Sequence, residues 1–334
     1  MKQFLALYFL LQTLLLGSPL RFGELGDFLL ENGDTIKDCR IGYTIYGEIA
    51  ADSSNIILFP TWFAGHSSHI KGALGRGKLA DTTRFAVIAL DALGNGISSS
   101  PSNSKSQPDT LFPKFTICDM VNSQYALLTQ ALNIKSVFAV MGGSMGGMQT
   151  FQWIVSYPDF MKYAVPYVGT PRPGSSDRLF WKAQTELIET GWKYKIHPDE
   201  LLKLFKLYQN AYSTSPNNIT ATVAYEDFEE YINPFFGEHS KYESVCDRYY
   251  QITAMLGHNI AAPFENNITK AAAQVQAKTL IIVAKQDHLV NPQPALDFAK
   301  IIKAKTLIVD NPKGHLGIAP EFARISKVIH KFWK

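Results

Sequence analysis

Short apolar runs alternate with longer amphipathic stretches along most of this chain. The runs are rich in β-branched residues and are bounded by turn-forming residues, which predicts buried strands. They lie at 55–59, 85–89, 136–141, 163–168, 279–284 and 305–309. Two earlier stretches, at 27–33 and 41–47, flank an Asn32-Gly33 turn and predict an antiparallel portion. Helical stretches between the later runs, such as 148–157, indicate an α/β fold with a mostly parallel sheet.

The long interval between the runs at 163–168 and 279–284 shows little strand character. Within it, residues 199–212 place apolar and aromatic side chains on one helical face: Leu201, Leu204, Phe205, Tyr208 and Tyr212. Two further aromatic-rich helical stretches follow at 225–236 and 242–256. We therefore expect a helical cap at 170–274 over the carboxyl edge of the sheet, inserted into a core formed by 24–169 and 275–334.

One strand-to-helix junction carries a G-x-S-x-G pattern, Gly142-Gly143-Ser144-Met145-Gly146. A serine on such a sharp turn takes a strained backbone conformation, so the residues two before and two after it must lack bulk. Gly142 and Gly146 meet that requirement. The pattern predicts that Ser144 is a nucleophile; the alternative is a glycine-rich turn with an incidental serine.

The ends of the last two predicted strands offer the acid and base that a serine nucleophile needs. Asp287 follows one strand and His315 the next, so both lie at the edge of a parallel sheet where ligands bind. We expect His315 to be the base and Asp287 to orient it. Asp310 is a rival acid, and Asp287 could instead cap the turn before Pro292. His288 is a rival base, but it adjoins the acid and is badly placed to receive its hydrogen bond.

An oxyanion hole requires two backbone N–H donors near the nucleophile. One is expected from Met145, directly after the serine, and the other from Phe63, in the loop after the run at 55–59. Thr61-Trp62 stands where such loops usually begin with His-Gly, but backbone donors tolerate changes of side chain. The alternative is an ordinary turn at a strand end.

Composition narrows the classes of function. The chain has 334 residues, 46% of them hydrophobic, and a net charge of +3, which allows a large core and gives no sign of nucleic-acid binding. His66 and His69 share a loop without further ligands nearby, so we expect packing or surface roles and no metal site. Three cysteines, an odd number, leave the redox compartment open.

The first residues resemble a secretory signal, with Lys2, an apolar run at 4–17 and small residues at its end. The run is shorter than the ~20 residues that span a bilayer. We expect a signal peptide at 1–18, a secreted or periplasmic protein, and no integral membrane span in the mature chain. The alternative is a buried N-terminal segment of a cytoplasmic protein. A homodimer is compatible with the sequence, which does not fix the oligomeric state.

With Ser144, Asp287 and His315 in this order, the chain resembles the α/β-hydrolase superfamily. Within it, three segments are similar to the homoserine O-acetyltransferase family: Phe-Pro-Lys-Phe-Thr-Ile-Cys-Asp-Met-Val at 112–121, Gly-Gly-Ser-Met-Gly-Gly-Met-Gln at 142–149 and Tyr-Pro-Asp at 157–159. The resemblance implies the α/β-hydrolase fold and an acyl-enzyme on the serine. It implies neither a cofactor nor a metal.

Two departures from that family concern the acceptor. The acetyltransferases have an aspartate directly after the catalytic histidine, where this chain has Leu316. They also have an arginine in the first cap helix, where Thr185 or Glu186 stands here; Arg178 and Lys182 lie one or two turns too early. An amino-acid acceptor would leave charges unmatched, at a cost of about 1–3 kcal/mol each.

Water is therefore the expected acceptor. The sequence predicts a serine hydrolase that cleaves small-molecule carboxylic esters through an acyl-enzyme. The alternative is an O-acyltransferase that uses the same acyl-enzyme. A non-catalytic binding module is a third interpretation, which the complete Ser-Asp-His set disfavours.

Overall fold

The computed structural model of the chain describes residues 17–237 and 242–334. The predicted signal peptide lies outside this range except for its last two residues, and it stays a prediction. None of the helices in the described range is long and apolar enough to cross a bilayer.

A single mixed sheet organises the described chain. Its order is β1-β2-β4-β3-β5-β6-β7-β8. β2 runs antiparallel to β1 and β4, and the six strands β3 to β8 are parallel to one another. The strands are β1 Arg21–Leu29, β2 Thr35–Tyr46, β3 Ile56–Pro60, β4 Ala86–Leu90, β5 Val137–Gly143, β6 Met161–Tyr167, β7 Lys278–Ala284 and β8 Lys305–Val309.

The predicted α/β class and all six core strands are confirmed, with shifted boundaries. β5 continues through Gly142 and Gly143, because extended backbone leads directly into the serine turn. β1 begins at Arg21, several residues before the predicted stretch. It is an edge strand, mostly exposed and interrupted by register shifts near Gly26, so its sequence lacks a clear alternation.

Helices cover both faces of the sheet. The α-helices of the described range are α1 Ile117–Ala126, α2 Met145–Ser156, α3 Ser175–Lys193, α4 Pro198–Ser213, α5 Pro216–Thr222, α6 Phe228–Ile232, α7 Val245–Leu256, α8 Ile268–Ala272, α9 Pro292–Ile301 and α10 Phe322–Phe332. Short 3-10 helices lie at Ser67–Ala73, Asp109–Leu111, Pro158–Phe160, Tyr225–Asp227, Asn233–Phe236, Ala262–Phe264 and Gly314–Glu321, and α1 ends in a π-helical turn at Leu127–Ala131.

The core lies on both faces of the sheet, as the nearly continuous apolar strands require. Alternate residues of β3 belong to different clusters: Leu58 packs with Phe151 and Phe298 on one face, and Phe59 packs with Ile325 on the other. Both faces are therefore closed to solvent, and only the strand ends are left for a site.

Between β6 and β7 the described residues form helices and no strand. The predicted helix at 199–212 is confirmed as α4. The predicted helical stretch at 225–236 is confirmed as helical, but it is divided into three short pieces. Pro234 explains the last break, because proline lacks an N–H and clashes with the preceding helical turn. The division of the chain into a core and a cap at 170–274 stays a prediction.

The chain order reverses beside β3. β4 lies on one side of β3 and β5 on the other, so the loops that leave β3 and β5 diverge and open a crevice. Ligands of open α/β sheets bind at such a switch point.

Candidate active site

Ser144 occupies the tip of the turn between β5 and α2. Its backbone has φ 56° and ψ −124°, a conformation that non-glycine residues rarely adopt. The Ser144 N–H donates to the carbonyl of Tyr167 at 3.0 Å, so β6 braces the turn. The strained turn presents the hydroxyl away from the sheet and toward the crevice.

Two glycines make this turn possible by close approach of the backbone. A Cβ on Gly142 would lie 2.5 Å from the carbonyl oxygen of Gly146, and one on Gly146 would lie 2.5 Å from that of Pro60. Neither distance is tolerated by a real Cβ. The steric reason for the G-x-S-x-G spacing is therefore present, and it also brings α2 against the loop after β3.

The structure brings Asp287 and His315 to Ser144. The His315 Nε2 atom lies 3.0 Å from Ser144 Oγ, and Nδ1 lies 2.7 Å from Asp287 Oδ2. His315 and Asp287 are both buried. The three side chains form a continuous hydrogen-bonded line from carboxylate to hydroxyl, which is the arrangement that activates a serine.

Backbone groups fix the carboxylate of Asp287. Its Oδ1 accepts from the N–H groups of Leu289 at 2.9 Å and Val290 at 2.8 Å, which leaves Oδ2 for the histidine. Asp177 on α3 supports the same loop, because its Oδ1 accepts from Asn291 N–H at 2.9 Å. Burial raises the pKa of Asp177, while the hydrogen bonds that its carboxylate accepts from the Asn291 and Gly174 N–H groups oppose the shift.

The rival residues lie elsewhere. His288 is exposed, although it adjoins Asp287. Asp310 is exposed and accepts from Lys285 at 2.8 Å and Gln286 at 3.1 Å, and its hydrogen bond with Lys285 lowers its pKa. Neither rival belongs to the line that ends at Ser144.

The two predicted oxyanion donors lie in the segments next to Ser144. Phe63 lies in the loop after β3 and lines the same cavity as Ser144. Met145 is the first residue of α2, where N–H groups have no partner within the helix. Within residues 17–237 and 242–334, neither the Phe63 nor the Met145 N–H has a hydrogen-bond acceptor. Both donors therefore stay predictions for the oxyanion hole.

A buried glutamine near these donors has no counterpart in the sequence predictions. Gln149 Nε2 donates to the carbonyl of Thr61 at 3.0 Å and to that of Met145 at 3.2 Å. Its Oε1 accepts from Gln124 at 2.6 Å, and Gln124 accepts from Trp153 Nε1 at 3.0 Å. Gln149 thus joins the loop after β3 to the start of α2. The signal in the sequence was its place at the end of the 142–149 segment that resembles the acetyltransferase family, although no role was assigned to it.

His66 and His69 pack against each other. Their rings stack with centroids 4.8 Å apart, and the His66 N–H donates to His69 Nδ1 at 3.2 Å. Among the described residues, no group of three or more His, Cys, Asp or Glu is arranged to hold a metal ion. The cysteines Cys39, Cys118 and Cys246 are unpaired.

Comparison with known proteins identifies the family. The family model described as the alpha/beta hydrolase fold matches residues 55–321. This chain belongs to the α/β-hydrolase family. The predicted resemblance is confirmed, and the chain is an enzyme of this fold.

Relatives divide between two activities. An ethyl acetate hydrolase of Pseudomonas veronii is 38% identical over 174 residues, 52% of this chain and 50% of the relative. A homoserine O-acetyltransferase of Methanococcoides burtonii is 39% identical over 164 residues, 43% of this chain and 33% of the relative. The matched part of the chain thus spans about half or less of these relatives' own lengths.

One solved structure extends the likeness to nearly the whole chain. An acetylester hydrolase from Corynebacterium glutamicum has a TM-score of 0.85 and 25% sequence identity, with 94% of this chain and 96% of that chain covered.

The cavity of this α/β-hydrolase encloses about 290 Å³ in front of Ser144. Its walls are mostly apolar, and besides Ser144 and His315 its lining includes the uncharged polar side chains Gln209 and Ser213 on α4 and the aromatic residues Trp62 and Tyr167. No Asp, Glu, Lys or Arg is among the described residues that line it. The cavity therefore suits a small and uncharged ligand.

The departures from the acetyltransferases take a definite form in this α/β-hydrolase. Leu316 lines the cavity and is 53% exposed. Glu186 points to solvent and pairs with Lys182, and Thr185 is buried, with its hydroxyl bonded to the Lys182 carbonyl. Neither lines the cavity. Gln184 is instead the α3 side chain that hydrogen-bonds to cavity-lining Gln209.

Proposed function

We propose that this protein is a serine hydrolase that cleaves small, uncharged carboxylic esters through an acyl-enzyme. Ser144 is the nucleophile, His315 the general base and acid, and Asp287 the residue that orients the imidazole. The observation that carries the proposal is the hydrogen-bonded line from Asp287 through His315 to Ser144.

Each step follows from these positions. As Ser144 Oγ attacks the ester carbonyl carbon, its proton passes to His315 Nε2, 3.0 Å away. The carbonyl oxygen becomes an oxyanion, which the N–H groups of Phe63 and Met145 stabilise. The intermediate then expels the alcohol, which takes the proton from His315. Water repeats the sequence on the acyl-enzyme, losing a proton to His315 and returning it to Ser144 Oγ as the acid leaves.

Asp287 acts on the imidazole and not on the substrate. Because its Oδ1 already accepts two backbone N–H groups, the carboxylate cannot rotate away from His315 Nδ1. The imidazole is thereby held in the tautomer that leaves Nε2 free to accept the proton from Ser144. The positive charge that forms on His315 is also stabilised.

The second candidate is an O-acyltransferase that uses the same acyl-enzyme. It is supported by the relatives named homoserine O-acetyltransferase. An amino-acid acceptor carries two charges, whereas the walls of the cavity offer Leu316 and uncharged side chains. Each unmatched charge costs about 1–3 kcal/mol, so discrimination against homoserine should reach roughly a hundredfold.

Kinetics on both reactions test the proposal. We expect purified protein to hydrolyse p-nitrophenyl acetate, with kcat/KM falling along a series of esters to decanoate as the acyl chain outgrows the cavity. Ser144→Ala is the control and should be inactive but folded. Acetyl transfer from acetyl-CoA to homoserine should be far slower than hydrolysis. Transfer at the higher efficiency would establish the second candidate, and equal activity of the Ser144→Ala variant would refute both.

A further inference from the structure

The loop after β3 makes a tight turn beside Ser144. The Trp62 carbonyl accepts from Gly65 N–H at 2.8 Å, which closes a four-residue turn with Phe63 and Ala64 at its centre. Ala64 has φ 52°, in the left-handed region that disfavours residues with a Cβ. The turn therefore needs support from outside, because its own sequence has no glycine at that position.

Gln251 on α7 supplies a contact at this point. Its side chain is fully buried. Its Oε1 accepts from the Ala64 N–H at 2.8 Å, and its Nε2 donates to the carbonyl of Leu93 at 3.0 Å. Both partners are backbone groups of fixed polarity, so the orientation of the amide is unambiguous. The side chain links α7 to the loops after β3 and after β4.

We propose that Gln251 is a positioning residue for the reaction: it holds the turn 62–65 so that the Phe63 N–H faces the oxyanion. The inference rests on the proposed function, in which Phe63 donates to that oxyanion. Ala64 N–H belongs to the peptide that follows Phe63. If Ala64 relaxed to negative φ, this peptide would rotate and Phe63 would shift relative to Ser144.

The remaining anchors of the loop act on either side of this peptide. Thr61 is tied through its carbonyl to Gln149, and the Gly65 carbonyl accepts from Asn95 Nδ2 at 3.0 Å. The Gln251 contact is therefore the hydrogen bond that fixes the central peptide of the turn. It does so from a helix that lies far along the chain, 187 residues after Ala64.

Gln251→Met tests the assignment, because methionine keeps the volume and loses both hydrogen bonds. We expect kcat for p-nitrophenyl acetate to fall about tenfold to a hundredfold, a fraction of the loss caused by removing a hole donor outright. KM should change little, since Gln251 does not line the cavity with Ser144. Gln152→Met is the matched control, as Gln152 is also buried but bonds only to Ser156 of its own helix.

A rescue variant separates positioning from general stability. Glycine adopts positive φ without steric cost, so Ala64→Gly should restore most of the lost kcat in the Gln251→Met background. A helix merely loosened by the substitution would not respond to a change at residue 64. If Gln251→Met does not fold, Gln251→Leu takes its place, because it also removes the acceptor for the Ala64 N–H and should show the same rescue.

The outcomes are distinct. The inference is overturned if Gln251→Met retains the kcat of Gln152→Met, or if Ala64→Gly gives no rescue, while the wild type is active and Ser144→Ala is not. If instead wild type and Ser144→Ala do not differ, the proposed function itself fails. Thermal unfolding of each variant must show that it is folded at the assay temperature.

Discussion

The two halves of the site are held in place by different means. In the proposed reacting half, His315 bonds to both Ser144 and Asp287; Ser144 follows β5 directly, and Asp287 and His315 lie in the segments that follow β7 and β8. In the proposed oxyanion half, Phe63 and Met145 offer backbone donors. The loop that carries Phe63 is held by two buried glutamines of other elements, Gln149 on α2 and Gln251 on α7. The reacting side chains thus bond to one another, whereas the loop that carries Phe63 depends on side chains far along the chain.

This difference determines how each half responds to substitution. Removing a reacting side chain removes its chemistry at once, because no neighbour replaces it. Removing a glutamine leaves the donors in the chain and changes only how often they point the right way. The first kind of change should abolish turnover, and the second should reduce it.

The largest effect should come from the reacting half. His315→Ala is expected to lower kcat for ester hydrolysis by roughly 10⁴–10⁶-fold, because the serine loses its proton acceptor. His288→Ala is the matched control, since His288 is exposed on the neighbouring loop and should be dispensable. Steady-state kinetics on both variants decides the matter. A loss confined to the His288 variant would reverse the assignment of the base.

An intermediate effect should come from the point where the halves meet. Gly146→Ala would place a Cβ 2.5 Å from the Pro60 carbonyl, so α2 and the loop after β3 must separate. We expect kcat to fall about a hundredfold, as for a displacement of reacting groups by an ångström, and stability to fall by about 1–3 kcal/mol. Gly72→Ala serves as the control, because a Cβ there meets nothing within 4 Å. Equal behaviour of the two variants would contradict this account.

The smallest effect concerns the helix that carries Gln251. Asp247 on α7 accepts from Ser102 N–H at 2.9 Å, and burial raises its pKa to about 6. A carboxyl whose pKa is raised on folding stabilises the protein below its unfolded pKa of 3.8 and loses that contribution as the pH rises through 6.

Asp247→Asn should therefore remove a pH-dependent term without removing the hydrogen bonds to Ser102. Between pH 4 and pH 7 the wild type is expected to lose up to about 3 kcal/mol relative to the variant. Denaturant unfolding at several pH values measures this difference. A constant difference across that range would show that Asp247 does not titrate with a raised pKa. The kcat for ester hydrolysis at pH 7.5 should differ by less than about twofold between the wild type and Asp247→Asn, because the substitution does not move the proposed oxyanion donors.

The contrast between the two halves also explains what the sequence could predict. The strands, Ser144 and its glycines, and the strand-end positions of Asp287 and His315 follow from patterns only a few residues long. The roles of Gln149 and Gln251 could not be predicted, because each bonds to a backbone group of the loop after β3 that only the folded sheet brings close. The arginine position in α3 stays a prediction, since sequence spacing alone does not show that Gln184 bonds to a cavity-lining residue while Glu186 pairs with Lys182 at the surface.

Strand order within the sheet has a consequence for how activity is lost on warming. His315 follows β8, an edge strand that is paired only with β7 and largely exposed, whereas Ser144 follows β5 at the centre. Edge segments with few buried contacts open more readily than central ones. The bond from Ser215 Oγ to the Pro312 carbonyl at 2.5 Å is one of the ties that oppose such opening. Local fraying should therefore disconnect the base while the nucleophile still sits in an intact sheet, and inactivation should begin below the temperature of global unfolding.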